Sequence, residues 1–185
     1  GDKYLLALKL IIKYDDGTED IILSDDKFKC QESYIIKAGI YDGEYEDYTK
    51  KLKKDLKVKM LKTNFNLQAD FTNPIVKKEE ISPKLIITKS GNMLLDFGQN
   101  MVGFVKIKKK LAKGQRIRLT FGEVLQDGEF FNDNYRSANP VYEIIADGKK
   151  EEYFPRFSYY GFRYAKVEGL DEVDVNDFKG IVLYT

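Results

Sequence analysis

The residues of this chain that could do chemistry are few in kind. It has no histidine and a single cysteine, Cys30. A Ser/His/Asp triad or a Cys/His dyad therefore cannot be assembled from it alone. A histidine-based zinc site is excluded, and one thiol makes neither a thiolate cage nor an intramolecular disulfide. What remains is oxygen chemistry and ring faces. Asp, Asn and Glu are plentiful, so oxygen-ligand sites for calcium or magnesium stay open. The rings are 13 Tyr and 12 Phe, without Trp. Glu123 and Asp127 could suggest a general acid and base. Such carboxylates stand roughly 5–10 Å apart across a deep cleft. Two on one strand-to-loop segment do not meet that need, so Glu123 is expected to orient its loop or to pair with Arg136 or Arg163. Gly98, Gly103, Gly122 and Gly161 lack the spacing of a phosphate-binding loop. They read as bulges, turns and close approaches of strands.

Charge narrows the field further. The chain balances 31 Lys+Arg against 30 Asp+Glu, a net charge of +1. A general nucleic-acid binder would carry a strong basic excess. Lysines cluster between Lys50 and Lys62, and in a balanced chain this reads as a solvated strand face or a protected sheet edge. A hydrophobic content of 43% beside 33% charged residues fits a soluble globular protein. No run approaches 18 uninterrupted apolar residues, so no membrane span is expected. Gly1-Asp2-Lys3-Tyr4 is not a signal peptide and leads directly into a strand-like run. The expectation is a fragment of a longer chain.

The elements that must position these groups are strands. Tyr4 to Tyr14 alternates in its second half, and Asp15-Asp16-Gly17-Thr18 supplies a hairpin turn before Glu19 to Leu23. Tyr34 to Ile40 is a further apolar run. Residues 47 to 56 could form a short helix, and 56 to 62 alternate as a strand. Residues 70 to 83 hold two prolines and a mixed charge run, the best candidate for a linker or crossover. Strands are then expected at 85–88, 93–97, 103–109, 115–121, 141–146, 151–154, 162–168 and 179–184. Ile117, Leu119 and Phe121 should share one face. Residues 126–140 read as a long polar and aromatic loop. Short strands at this spacing predict an all-β fold of two antiparallel β-sandwich, jelly-roll-like units, the first incomplete. The expected division is 1–69 for the partial N-terminal sandwich, 70–84 for the linker and 85–185 for the jelly-roll-like module. Cys30 is expected to be a partly buried, inert thiol.

Four segments carry a family resemblance. Residues 96–103 (DFGQNMVG) resemble the DFGQN-x-x-G signature of bacterial α-L-rhamnosidases. Residues 121–125 (FGEVL) with Asp127-Gly128 are similar to that family's GEVL…DG loop. Residues 132–138 (NDNYRSA) are similar to its x-x-N-L-R-S-A segment, and 155–164 (PRFSYYGFRY) to its PRFTYHGFRY motif. All four stand in the family's order. Residues 14–29 and 40–47 resemble the end of its N-terminal β-sandwich. The family usually has His where Tyr160 stands and Trp where Phe28 stands.

The resemblance implies a non-catalytic β-sandwich region of an α-L-rhamnosidase, a glycoside hydrolase, without the helical barrel that carries the family's catalytic carboxylates. It implies an accessory carbohydrate-binding-like module that binds terminal L-rhamnose or a related sugar, or positions the catalytic domain. A purely structural interdomain module is the alternative. In the family's rhamnose-binding version an Asp-Asn pair and calcium hold the sugar. Asp133 and Asn134 are the matching pair here, with Asn132 as a further calcium ligand. The alternative is a turn whose Asp and Asn side chains bond their own backbone. Tyr135 and Tyr159, with Phe130 and Phe131, could offer an apolar face to a 6-deoxy sugar. The expected partners are a rhamnoside and the rest of the parent chain, with no nucleic acid and no membrane. A soluble protein is expected; the sequence leaves the compartment open, with the bacterial cytoplasm favoured only slightly.

Overall fold

The computed structural model of the chain describes residues 5–62 and 72–185. Its regular elements are strands and two 3-10 turns, with no α-helix among the described residues. In chain order the first strands are β1 (Lys9–Lys13), β2 (Glu19–Leu23), β3 (Lys29–Cys30), β4 (Ile35–Gly39), β5 (Gly43–Asp47) and β6 (Leu56–Lys57). Then come β7 (Val76–Ile81), β8 (Lys84–Ile87), the long β9 (Met93–Lys108), β10 (Arg116–Gly122), β11 (Val124–Gln126) and β12 (Glu129–Phe131). The last are β13 (Val141–Ile145), β14 (Glu152–Tyr153), β15 (Tyr160–Glu168) and β16 (Phe178–Tyr184).

Contacts divide the chain into a small unit, residues 1–33 with 51–70, and a large unit, residues 34–50 with 71–185. The small unit holds two two-stranded ribbons, β1–β2 and β3–β6. The β1–β2 turn is the one its sequence predicts. Asp16 Oδ1 accepts from the N–H and the hydroxyl of Thr18, and the Gly17 N–H bonds the Tyr14 carbonyl. Only Leu56–Lys57 of the alternating run 56–62 is paired. Cys30 is exposed rather than partly buried, on a two-residue strand both of whose residues are exposed.

The large unit is one ten-stranded sheet with the order β4-β5-β13-β10-β15-β9-β16-β7, and β8 and β14 also pair with β9. The sheet curls around a single core. Ile117, Leu119 and Phe121 of β10 enter it together, as their alternation predicts, with no exposed surface. Leu95 and Ile107 from the two halves of β9, Ile144 of β13, Phe162 of β15 and Phe178 of β16 complete it. Phe121 stacks on Tyr160 at 4.2 Å and meets Phe162 at 4.7 Å. This is the all-β sandwich expected from the strand spacing.

Several details depart from the expectation. Residues 93–97 and 103–109 form one strand, β9, which bends where the Asp96 carboxylate takes the Gly98 N–H at 2.8 Å. At Gly103, on the same strand, a Cβ would collide with the Ile181 carbonyl of β16. The pair β5–β13 runs parallel in a sheet that is otherwise antiparallel. Residues 47–56 form no helix, because Asp47 Oδ1 captures the N–H and hydroxyl of Thr49 and turns the chain. The expected loop 126–140 begins with a hairpin, β11–β12, closed by Asp127 and Gly128 at φ of 53° and 80°. The expected break at residues 69–70 lies outside the described residues. β4 and β5 belong to the large sheet, and β7 is its edge strand within the span expected as linker. Among the described residues no helix is long and apolar enough to cross a membrane.

Candidate functional site

The bend in β9 sets the first polar pair. Arg163 on β15 donates from Nε to Asp96 Oδ1 at 2.8 Å and from Nη2 to Oδ2 at 3.0 Å. This fork is the strong form of an Arg–carboxylate pair, and it holds the Asp96 carboxyl below the usual carboxylate range. Two residues after Gly98, Asn100 donates Nδ2 to Glu123 Oε1 at 3.1 Å. Glu123 follows the end of β10, and its Oε2 accepts from Asn134 Nδ2 at 2.8 Å. Next in chain, the Tyr135 hydroxyl donates to the Gly161 carbonyl. Burial raises the Tyr135 phenol above its ordinary range, and the Glu123 charge adds to that. Segments 96–103, 121–128, 132–138 and 155–164 are thereby tied to one another. Glu123 pairs with neither Arg136 nor Arg163, because two amides reach it first.

Asp133, Asn134 and Tyr135 form a single 3-10 turn, with Asn132 as its N-terminal cap. Asn132 makes no capping side-chain bond. Asp133 and Asn134 are exposed and Tyr135 is half-buried. The Asn134 amide is oriented by Glu123 and leaves its Oδ1 as an acceptor. Asn134 therefore bonds a side chain eleven residues away, not its own backbone. Among the described residues no three His, Cys, Asp or Glu side chains gather to hold a metal ion. Calcium takes 6–8 oxygens, so one exposed carboxylate with amide oxygens is a poor fit for a tight site. Phe130 packs over Gly122, and Lys166 Nζ stands 5.8 Å from the center of its ring. Phe130 and Phe131 are half-buried packing groups. Tyr159 is placed differently. It lines a cleft with Phe104, Phe157 and Leu183 that includes neither Asp133 nor Asn134.

Asp127, at the tip of its hairpin, is not brought to Glu123 as an acid/base partner. The arginines act as ion-pair anchors at three positions: Arg163 on Asp96, and Arg116 and Arg118 on Glu143 at 2.7 and 3.2 Å. Sequence reasoning missed Asn100 and two buried carboxylates. Glu44 accepts from the backbone N–H groups of Arg156 and Phe157 at 2.7 and 2.9 Å. Glu46 Oε2 accepts from the hydroxyls of Tyr48 and Tyr142, while its Oε1 has no partner. Burial raises the Glu46 carboxyl to about 7. The Glu-x-Glu spacing on β5 put both on one face, and the 156–157 backbone with the Tyr48 and Tyr142 hydroxyls meets them there.

Residues 86–184 match the family model of the bacterial α-L-rhamnosidase concanavalin-like domain, and residues 1–82 that of the α-L-rhamnosidase N-terminal domain. The chain belongs to the bacterial α-L-rhamnosidase family. An α-L-rhamnosidase of Formosa agariphila is 31% identical over 99% of this chain and 22% of its own length. One from Alteromonas sp. (strain LOR) is 31% identical over 89% of this chain and 20% of its own length. The chain thus spans about a fifth of the length of the curated relatives it matches. Among solved structures, Streptomyces avermitilis α-L-rhamnosidase complexed with L-rhamnose aligns with a TM-score of 0.84 and 29% identity. That alignment covers 97% of this chain and 19% of that one. The native Aspergillus terreus enzyme aligns at 0.79 and 29% identity, over 96% of this chain and 22% of that one. All four motifs lie within the matched concanavalin-like domain, residues 86–184.

Proposed function

We propose that this chain is a non-catalytic accessory part of an α-L-rhamnosidase whose large unit positions the rest of the enzyme. One observation carries the reading: the side chains of the four motifs are engaged with one another. Asp96 is held by Arg163, Glu123 by Asn100 and Asn134, and Tyr135 by Gly161. A catalytic carboxylate must exchange a proton with substrate at defined separation from its partner. Glu123 instead serves two amides, and Asp127 caps a hairpin. Interlocked motifs suit a rigid scaffold.

A second reading rests on the orientation of Asn134. Its amide is preset by Glu123 beside the exposed Asp133 carboxylate, and sugar hydroxyls need such fixed polar groups. In this reading Asp133 and Asn134, with Asn132 and the Tyr135 ring, take a terminal L-rhamnose, the sugar named for the Streptomyces avermitilis structure. Titration calorimetry of the 185-residue chain with L-rhamnose, with and without calcium, separates the two. The scaffold predicts no heat and no shift in Tm at millimolar sugar. Heat that is lost in both Asp133→Ala and Asn134→Ala replaces the scaffold with the sugar site. Neither reading predicts nitrophenol release from an aryl rhamnoside.

A further inference from the structure

The cleft that holds Tyr159 has features the motif cluster lacks. It encloses about 300 Å³ and is open to solvent on the large unit. Two aromatic rings stand out into solvent at its rim, Phe157 at 69% and Tyr159 at 37% exposure. Phe104 and Leu183 line its inner wall. The charged residues that line it, Lys77 and Arg156, are both cations. Among the described residues neither is ion-paired. They instead share the Phe154 ring, with Lys77 Nζ 4.6 Å and the Arg156 guanidinium carbon 5.9 Å from its center. Ser158 also lines the cleft and is 4% exposed.

The segment that carries these groups is held from below. Both carboxylate oxygens of buried Glu44 are bound by the N–H groups of Arg156 and Phe157. The Tyr160 hydroxyl donates to the Val141 carbonyl at 2.8 Å. A rigid support beneath exposed rings and cations lowers the ordering cost of binding.

We propose that this cleft binds an acidic saccharide, a short glycan bearing a uronic acid carboxylate. Ring faces of Phe157 and Tyr159 take the C–H face of a pyranose, and Arg156 with Lys77 takes the carboxylate. The charge of the lining selects the anion. Membership in a glycoside hydrolase family makes a glycan the fitting body for it. The proposal does not depend on the sugar reading of Asp133 and Asn134, because none of its residues is shared with that turn.

The test is titration of the 185-residue chain with trigalacturonic acid and with its methyl ester. The acid should bind at least tenfold more tightly than the ester, and its affinity should fall as salt is raised. Arg156→Gln and Lys77→Gln should each weaken the acid by roughly tenfold. Phe157→Ser should weaken both ligands, and its exposure predicts an unchanged Tm. Asp133→Ala should leave binding of the acid intact. Equal binding of acid and ester, affinity unchanged in Arg156→Gln, or no binding of the acid to the folded chain each overturns the proposal.

Discussion

The small and large units are written in the same strand pattern and end in opposite states. In the large unit Leu119, Phe121, Ile144 and Phe162 have no exposed surface. In the small unit Leu10, Ile11, Ile21, Ile22 and Leu23 are all exposed. Pairing sets Leu10 opposite Ile22 and Ile11 opposite Ile21. Cross-strand partners share a face and successive residues alternate. The β1–β2 ribbon is therefore apolar on both faces. The large sheet curls until its inward residues meet one another, whereas a two-stranded ribbon has no second layer of its own. Alternation selects strands, but only added layers turn apolar faces into stability.

The sharpest way to break this contrast is to delete the same kind of side chain in each unit. Phe121→Ala removes a ring packed between Tyr160 and Phe162 and should cost about 3–5 kcal/mol. Ile21→Ala, in the ribbon, should cost less than about 1 kcal/mol, since much of that side chain already meets water. Urea unfolding followed by amide cross-peaks of each unit measures both. Equal costs would show the ribbon face to be buried in solution.

A second difference is electrostatic. In the large unit Glu46 is 2% exposed, with its carboxyl raised to about 7 by burial and, secondarily, by the Glu44 charge. Hydrogen bonds from Tyr48 and Tyr142 and the Lys150 charge oppose that rise without cancelling it. The folded value lies above the unfolded one, so the native state binds more protons between about pH 4.5 and 7. Stability from this group is complete below about 4.5 and is lost as pH rises through 7. The loss amounts to about 3 kcal/mol at most. In the small unit the perturbed groups Tyr14 and Asp16 are exposed. Glu46→Gln should therefore flatten the decline in large-unit stability between pH 5 and 8 and raise stability at pH 8. A decline of the same size in the variant would move its origin elsewhere.

Close backbone packing gives a third handle. Gly103→Ala places a methyl against the Ile181 carbonyl where β9 and β16 pair. Overpacking of this kind costs about 1–3 kcal/mol. Gly17→Ala, in the β1–β2 turn, meets open space and is strained by its φ of +85° alone, so a smaller cost of about 1 kcal/mol is expected. Melting curves of the two variants should keep that order.

Much of the strand pattern was legible in the sequence, because alternation is local. Ile117, Leu119 and Phe121 could be placed on one face before any partner was known. The bend in β9 was read as a break, since an interrupted alternation looks the same at a bulge and at a turn. Residues 47–56 were rich in helix-forming lysine, and a single Asx turn at Asp47 overrode that propensity. The motif residues were recognised, but their partners were not. Asn100 and Glu123 lie 23 residues apart, and Tyr142 and Glu46 lie 96 apart. Such pairings depend on which strands become neighbours. Glu44 and Glu46 were unreadable for the same reason, because their partners at Arg156, Phe157 and Tyr142 lie about 100 residues away.

The smallest expected effect tests whether the motif cluster belongs to the core or lies above it. Asn134→Ala removes one exposed hydrogen bond to Glu123 and should cost about 0.5–1 kcal/mol. Asn100→Ala removes the other amide from the same carboxylate. Either single change leaves Glu123 with one donor, whereas the double change leaves it to water alone. Residues that share a partner couple, so the double variant should depart from additivity by about 0.5 kcal/mol or more. Urea midpoints of the four proteins close the cycle. A cost for Asn134→Ala approaching that of Phe121→Ala would make the cluster part of the load that holds the sandwich together. A small cost with measurable coupling would leave an oriented polar array on a stable sheet. Its orientation would then be available for contact with the rest of the enzyme or with a sugar, and the rhamnose titration separates those two uses.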